Sequence, residues 1–267
     1  MLVVNGNWPA GHWSTTLVRP DTVLDMALSS VDDAYKGCVP AMLTKVKVYL
    51  KDEITANTDD FGTGWTDHYD ALDNKESDGE LTVEHILAIK LYSGVLYKNL
   101  NDAVRVGKDK YKAKTFEFYA WHFLLSDAIR ILKEKNNPNE CLKTVYRGTK
   151  RLTKEKKMTM RFGQFASSST YEHVAKMFAD WKTCFKITTC FGASLAGLSQ
   201  LNNEEEVLIS PYEVFKMAEV TKNKSESDTF NTYPIIVRSG RRLQCSQAKL
   251  QEMSCKTAHF PLRPMAK

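Results

Sequence analysis

Three short stretches of this sequence gather residue types with chemical capacity. Val145-Tyr146-Arg147-Gly148 sets an arginine among strand-forming residues. Such an arginine ordinarily faces solvent. The alternative is a guanidinium forked onto a phosphate, with Gly148 letting a ligand approach the backbone. Phe165-Ala166-Ser167-Ser168-Ser169-Thr170 is a run of hydroxyls after a strand-like segment, and Ser169 or Thr170 suits the N-cap of a following helix. Asn202-Asn203-Glu204-Glu205-Glu206 leads directly into Val207-Leu208-Ile209. Acidic triplets are usually solvated loops, but a carboxylate on the first residue of an apolar strand is held rigidly and partly desolvated. Period-two alternation puts Glu204 and Glu206 on one side, so that two carboxylates converge on one cleft.

Other chemistries find little support. There is no GxxxxGK[ST] and no GxGxxG after a strand. Gly62-Thr63-Gly64 lacks both the third glycine and the strand. HExxH and GxSxG are absent and the six histidines are scattered, so no metal is expected. The net charge of +5 over 267 residues is too small to argue for nucleic acid and would equally suit an anionic small molecule. At 43% hydrophobic and 10% aromatic, the composition builds a real core. The six cysteines lack CxxC spacing. They read either as disulfides of an oxidising compartment or as buried thiols of a cytosolic protein. No run of eighteen apolar residues could cross a membrane. The first thirteen residues lack the pattern of a signal peptide, and residues 259–267 carry no hydrophobic anchor tail. The chain therefore reads as either trimmed or not secreted. Asn223-Lys224-Ser225 is a glycosylation sequon.

The elements that must position these residues follow from periodicity. A helix is expected over residues 20–35, capped by Asp21, with Leu24, Leu28, Val31 and Tyr35 on one face. A second is expected over 40–54. Residues 55–79, acidic and rich in Asp, Gly and Asn, read as loop. Thr82 caps a helix with Val83, Ile86, Leu87 and Leu91 as its stripe. The strongest helical pattern covers 116–133, where Trp121, Leu124, Leu125, Ala128 and Leu132 recur. After Asn136-Asn137-Pro138 the pattern turns to strands over 143–148, 158–167, 184–189, 206–209, 214–220 and 233–238, with one helix at 171–180. Helices first and strands later is an α+β arrangement.

Further segments extend the pattern of Arg147, Ser167 and Glu206. They are Val31-Asp32-Asp33-Ala34-Tyr35-Lys36-Gly37-Cys38, the stretch from Leu96 to Arg105 (LYKNLNDAVR) and His122-Phe123-Leu124-Leu125. Cys190-Phe191-Gly192-Ala193 follows, then Ser199, then Glu204 to Ile209 with Pro211. Over residues 21–250 these resemble the mono-ADP-ribosyltransferases with an arginine–serine–glutamate triad, specifically the vertebrate-type ecto-enzymes related to cholera-toxin-like transferases. The resemblance implies an N-terminal helical region followed by a mixed or antiparallel β-sandwich core. Residues 1–20 would be an N-terminal extension, 21–138 the mainly helical region, 139–250 the β-rich NAD-binding catalytic core and 251–267 a C-terminal tail, with 21–250 one integrated domain.

The resemblance also assigns roles. NAD is the co-substrate, and no metal is needed. Arg147 would bind its phosphates, and Gly148 would offer backbone N–H and C=O to the nicotinamide amide. Glu206 would stabilise the reacting ribose, oriented by Ser167. Glu204, two before Glu206, goes with arginine as acceptor, so the partners would be arginine-bearing proteins or small guanidines, with no nucleic acid. Cys141 would pair with Cys190, and Cys38 with Cys245 or, in competition, Cys255. The state of Cys184 is open. Disulfides imply a secreted, extracellular or ER-lumenal protein. Two positions depart from the family pattern: Leu201 replaces a common aromatic, and Ser210 replaces a proline. An NAD glycohydrolase on the same fold is the alternative within the family. A non-catalytic secreted or surface binding protein is the alternative of another class.

Overall fold

A computed structural model describes residues 22–72, 79–136, 138–149, 153–155, 159–179, 183–200, 205–220 and 233–239. Glu204, Leu201, Asn223, Cys245 and Cys255 lie outside them, as do the expected extension 1–20 and tail 251–267.

The chain opens with strand β1 (Thr22–Leu24) and continues through helices α1 (Val39–Leu43), α2 (Val46–Ala56), α3 (Thr63–Ala71), α4 (Val83–Ser93), α5 (Tyr97–Val106), α6 (Lys108–Lys112) and α7 (Tyr119–Asn136). Strands follow: β2 (Leu142–Thr149), β3 (Thr153–Glu155), β4 (Thr159–Met160) and β5 (Ala166–Ser169). After helix α8 (Glu172–Ala179) come β6 (Thr183–Thr189), β7 (Ala193–Ser194), β8 (Glu206–Ile209), β9 (Phe215–Val220) and β10 (Tyr233–Ser239). The α+β order holds. Eight strands pair in the order β4-β9-β10-β6-β2-β5-β8-β7, while β1 and β3 form a separate parallel pair. Within the eight, only β10 and β6 run parallel.

Two expectations for the helical region fail. The helix expected over 20–35 is not seen from Thr22 onward: after β1 the backbone turns, with Ala27 at φ 44° and Tyr35 at φ 51°. Aspartates direct both turns. Asp25 Oδ1 accepts from the Ala27 amide and Asp33 Oδ1 from the Tyr35 amide, each at 2.8 Å, which satisfies the backbone locally in place of a helical ladder. Leu28, assigned to the apolar face, is 70% exposed. Residues 55–79 are not all loop, because a π-helical turn (Thr58–Gly62) runs into α3. Phe61 and Trp65, four residues apart, are buried there, and the Phe61 ring lies 4.8 Å from that of Trp121. The acidic residues around them take the solvent side. Gly62 fits because an added Cβ would stand 2.6 Å from the Ile54 carbonyl oxygen.

α4 and α7 form the centre of the helical core. α4 begins with a reciprocal capping box between Thr82 and His85. The core gathers Trp121, Phe123, Tyr92 and Leu87 and extends to Phe165, Leu195 and Leu208 from the strand region. A second core holds Val145, Ala166, Phe185, Val207 and Ile209. In β8, Leu208 faces the first core while Val207 and Ile209 face the second. Burial on both faces explains an uninterrupted apolar run. A disulfide joins Cys141 and Cys190, just beyond the Leu142–Thr189 pair of β2 and β6. Cys38 is also disulfide-bonded, and both partners considered for it lie outside the described residues. Cys184 is a buried free thiol.

Candidate active site

The sheet order brings together residues that are far apart in sequence. Arg147 stands on β2, Ser167 on β5 and Glu206 on β8, and these three strands are adjacent. β5 and β8 pair Ser167 with Leu208 and Ser169 with Glu206. Paired residues share a face, so Ser167, Ser169 and Glu206 lie on the side that Leu208 turns to the helices. Among the described residues, β2 and β5 share one paired position, Tyr146 with Ser169. A cleft of about 410 Å³ is lined by residues 146–149 of β2, 167–169 of β5, Glu206, and Ser93 and Gly94 at the end of α4. That volume suits a small-molecule ligand.

Arg147 rises from the opposite side. It pairs with Phe185 of the second core, and its guanidinium carbon is 5.8 Å from the Phe162 ring centroid. Its Nη1 donates to the backbone oxygen of Ser167. Burial lowers its pKa, yet a guanidinium remains protonated. It is therefore a fixed cation in the cleft wall. Gly148, beside it, pairs with Cys184 and lines the cleft.

Glu206 is 6% exposed. Ser199 Oγ donates to its Oε2 at 2.9 Å. Burial pushes its pKa above 4.5, while hydrogen bonds from Ser167 and Ser199 and the charge of Arg147 pull against that rise. The carboxylate is thus desolvated and oriented, a combination typical of functional groups. Glu205, immediately before it, is exposed and left-handed at φ 45°. The strand begins at Glu206, and Glu204, expected on the same side, lies outside the described residues. Uncommon backbone of this kind in a bulky residue marks a constrained position.

Sequence reasoning assigned no role to several residues that build the site. Ser199 is placed by a turn: the amides of Leu198 and Ser199 both donate to the Leu195 oxygen (2.9 and 3.0 Å), helped by Gly197 at φ 77°. The Leu195 amide in turn donates to the Glu206 backbone oxygen at 2.8 Å. Tyr92 of α4 donates to the Phe165 oxygen at 3.0 Å, and Ser167 Oγ is 3.5 Å from its hydroxyl. Asn101 of α5 accepts from the Phe165 amide and donates to Tyr92, both at 3.1 Å. The two helices thereby fix the start of β5. The only signal for Asn101 was its place in the segment from Leu96 to Arg105; Tyr92, just after the stripe of α4, carried none. Among the described residues no group of three or more His, Cys, Asp or Glu gathers as a metal site, and no helix is long and apolar enough to cross a membrane.

Residues 24–231 match the sequence profile of NAD:arginine ADP-ribosyltransferase. This chain belongs to that family. Ecto-ADP-ribosyltransferase 5 of Bos taurus is 36% identical over 217 residues, covering 76% of this chain and 68% of the relative. The erythroblast NAD(P)(+)–arginine ADP-ribosyltransferase of Gallus gallus is 30% identical, covering 79% and 75%. A variant of the eukaryotic mono-ADP-ribosyltransferase ART2.2, solved in complex with NAD, superposes with a TM-score of 0.67 at 30% identity, covering 80% of this chain and 93% of that one. The α+β fold is therefore that of an ADP-ribosyltransferase, and the family uses NAD as substrate.

Proposed function

We propose that this chain cleaves the nicotinamide–ribose bond of NAD and transfers ADP-ribose to an arginine side chain, with Glu206 as the catalytic carboxylate. The observation that carries the reading is the setting of Glu206: buried at the cleft, held by Ser199, and under the field of Arg147. In glycosidic cleavage positive charge develops on the sugar ring. A preorganised carboxylate aimed at that ring stabilises the transition state more than the ground state. Arg147 binds the NAD phosphates, Gly148 meets the nicotinamide amide through its backbone, and Ser167 orients Glu206. A guanidinium acceptor is protonated and poorly nucleophilic. Glu204 orients it and takes its proton during attack. The acceptor is an arginine-bearing protein or a small guanidine. The Cys141–Cys190 disulfide supports a site of action outside the cytosol, in the secretory lumen or beyond.

The test uses NAD labelled in the ADP-ribose half, with and without agmatine as a free guanidine. Glu206→Gln is expected to abolish nicotinamide release. Glu204→Gln is expected to abolish transfer to agmatine while sparing hydrolysis. Full transfer by the Glu206 variant would refute the mechanism. Wild-type protein that splits NAD only to water would assign the glycohydrolase reading, and one that leaves NAD intact would assign the binding-protein reading.

A further inference from the structure

The hydrogen bonds where α4, α5 and β5 meet leave one place open, and that place faces Ser167. Asn101 and Tyr92 are both buried there. The Phe165 amide can only donate, so the Asn101 atom 3.1 Å from it is the carbonyl oxygen. The Asn101 nitrogen therefore points the other way and donates to the Tyr92 hydroxyl at 3.1 Å. Burial pushes the Tyr92 pKa up to about 12, so the hydroxyl keeps its proton, which it gives to the Phe165 oxygen at 3.0 Å. One lone pair of the Tyr92 oxygen remains, and Ser167 Oγ lies 3.5 Å from that oxygen. Tyr92 can thus accept from Ser167 and cannot donate to it. Ser167 has a single proton. A second acceptor for it is Glu206, which lies on the same face of the sheet and is stabilised in its charged form by hydrogen bonding from Ser167. Tyr92, Asn101, Ser167 and Glu206 all line the cleft.

We propose that Tyr92, set by Asn101, is a positioning residue for the reaction, because it gives the single proton of Ser167 a second place to rest, away from Glu206. With that place available, Glu206 exchanges the Ser167 hydrogen bond for one from a sugar hydroxyl of the substrate without stranding the serine proton. An unpaired buried donor is costly, so the exchange is cheaper with Tyr92 present than without it. The inference rests on the reading of Glu206 as the carboxylate that breaks NAD.

The experiment measures nicotinamide release across pH for the wild type, Tyr92→Phe, Ser167→Ala and the double variant, with the unfolding temperature recorded alongside. The acidic limb of kcat/KM reports Glu206 in the free enzyme. Among the described residues, Arg147 of β2 is the charged group that lowers the Glu206 pKa, and Ser199 is its other hydroxyl donor; both are present in every variant. In Tyr92→Phe the Ser167 proton turns to Glu206. The limb moves to lower pH by about half a unit, a threefold change in proton concentration of the size one modest hydrogen bond gives, and KM for NAD rises about threefold. Ser167→Ala moves the limb to higher pH, and adding Tyr92→Phe to it moves neither the limb nor KM further. Tyr92→Phe also leaves Phe165 and Asn101 short of a partner, so 3-fluorotyrosine is placed at position 92 as well. It keeps every partner, weakens the oxygen as an acceptor and moves the limb the same way by less. A limb that stays or rises in both position-92 variants, or a shift that persists without Ser167, overturns the proposal while leaving the activity in place. Nicotinamide release by Glu206→Gln at the wild-type rate overturns the reading of Glu206 and this inference with it.

Discussion

At the residue scale, the role proposed for Glu206 makes its ionisation set the pH dependence of activity. Its pKa is raised by burial, so activity is lost as pH falls through a value above that of an ordinary carboxylate. The Ser199 hydrogen bond favours the charged form, and removing it lets burial raise the pKa further. For Ser199→Ala the acidic limb of the pH–rate profile should therefore move to higher pH, and kcat should fall about tenfold. Nicotinamide release measured across pH checks this; a limb that does not move would deny Ser199 the role. Arg147, Ser167 and Glu206 could be singled out in the sequence because each sits on or beside a strand-like run and the three together, in this order, resemble the family's triad, although each alone has an ordinary reading. Ser199 was visible but mute. A serine seven residues from a carboxylate acquires meaning only when the turn at Gly197 folds it back.

At the scale of elements, the start of α7 is instructive. The first amides of a helix lack internal partners. Here the buried Glu53 of α2 supplies them, its carboxylate accepting from the Ala120 amide at 2.5 Å and the Trp121 amide at 3.2 Å. Burial pushes the Glu53 pKa up from 4.5 to about 8. A carboxyl whose folded pKa exceeds its unfolded one adds most to stability below the unfolded value, and the contribution fades as pH rises through the folded value. The melting temperature of the wild type should therefore decline from pH 4.5 to 8 through this group. Glu53→Gln cannot ionise and should flatten that part of the decline, starting lower because one acceptor is lost. Parallel curves for the two proteins would count against it. His122 acts in the other direction: burial lowers its pKa from 6.5 to about 4, so its contribution is lost as pH falls across that interval. The capped helix α4 and the stripe of α7 were readable because period and packing agree. The segment from Asp25 to Tyr35 misled because its apolar spacing mimics a helix, while aspartate turns and a tertiary bond from the Val31 amide to the Val104 oxygen decide its path. α3 hid behind its composition, since two aromatics outweigh the acidic residues around them.

At the scale of the molecule, the helical core and the sheet are interlocked by shared residues and by a covalent link within the sheet. The Cys141–Cys190 bond closes a loop of 49 residues, which constrains the unfolded chain by about 4 kcal/mol on entropic grounds. A Cys141→Ser/Cys190→Ser variant should unfold at markedly lower denaturant than the oxidised wild type, with the same cleavage activity under mild conditions. An unchanged midpoint would mean that the bond contributes nothing to the fold. The adjacency of β2, β5 and β8 carries a further consequence. Arg147, Ser167 and Glu206 come from separate strands, and none can find the others until the last of the three has docked. A nascent or partly unfolded chain holds all three side chains and no site. The cleft therefore comes into being in the same step that completes the sheet.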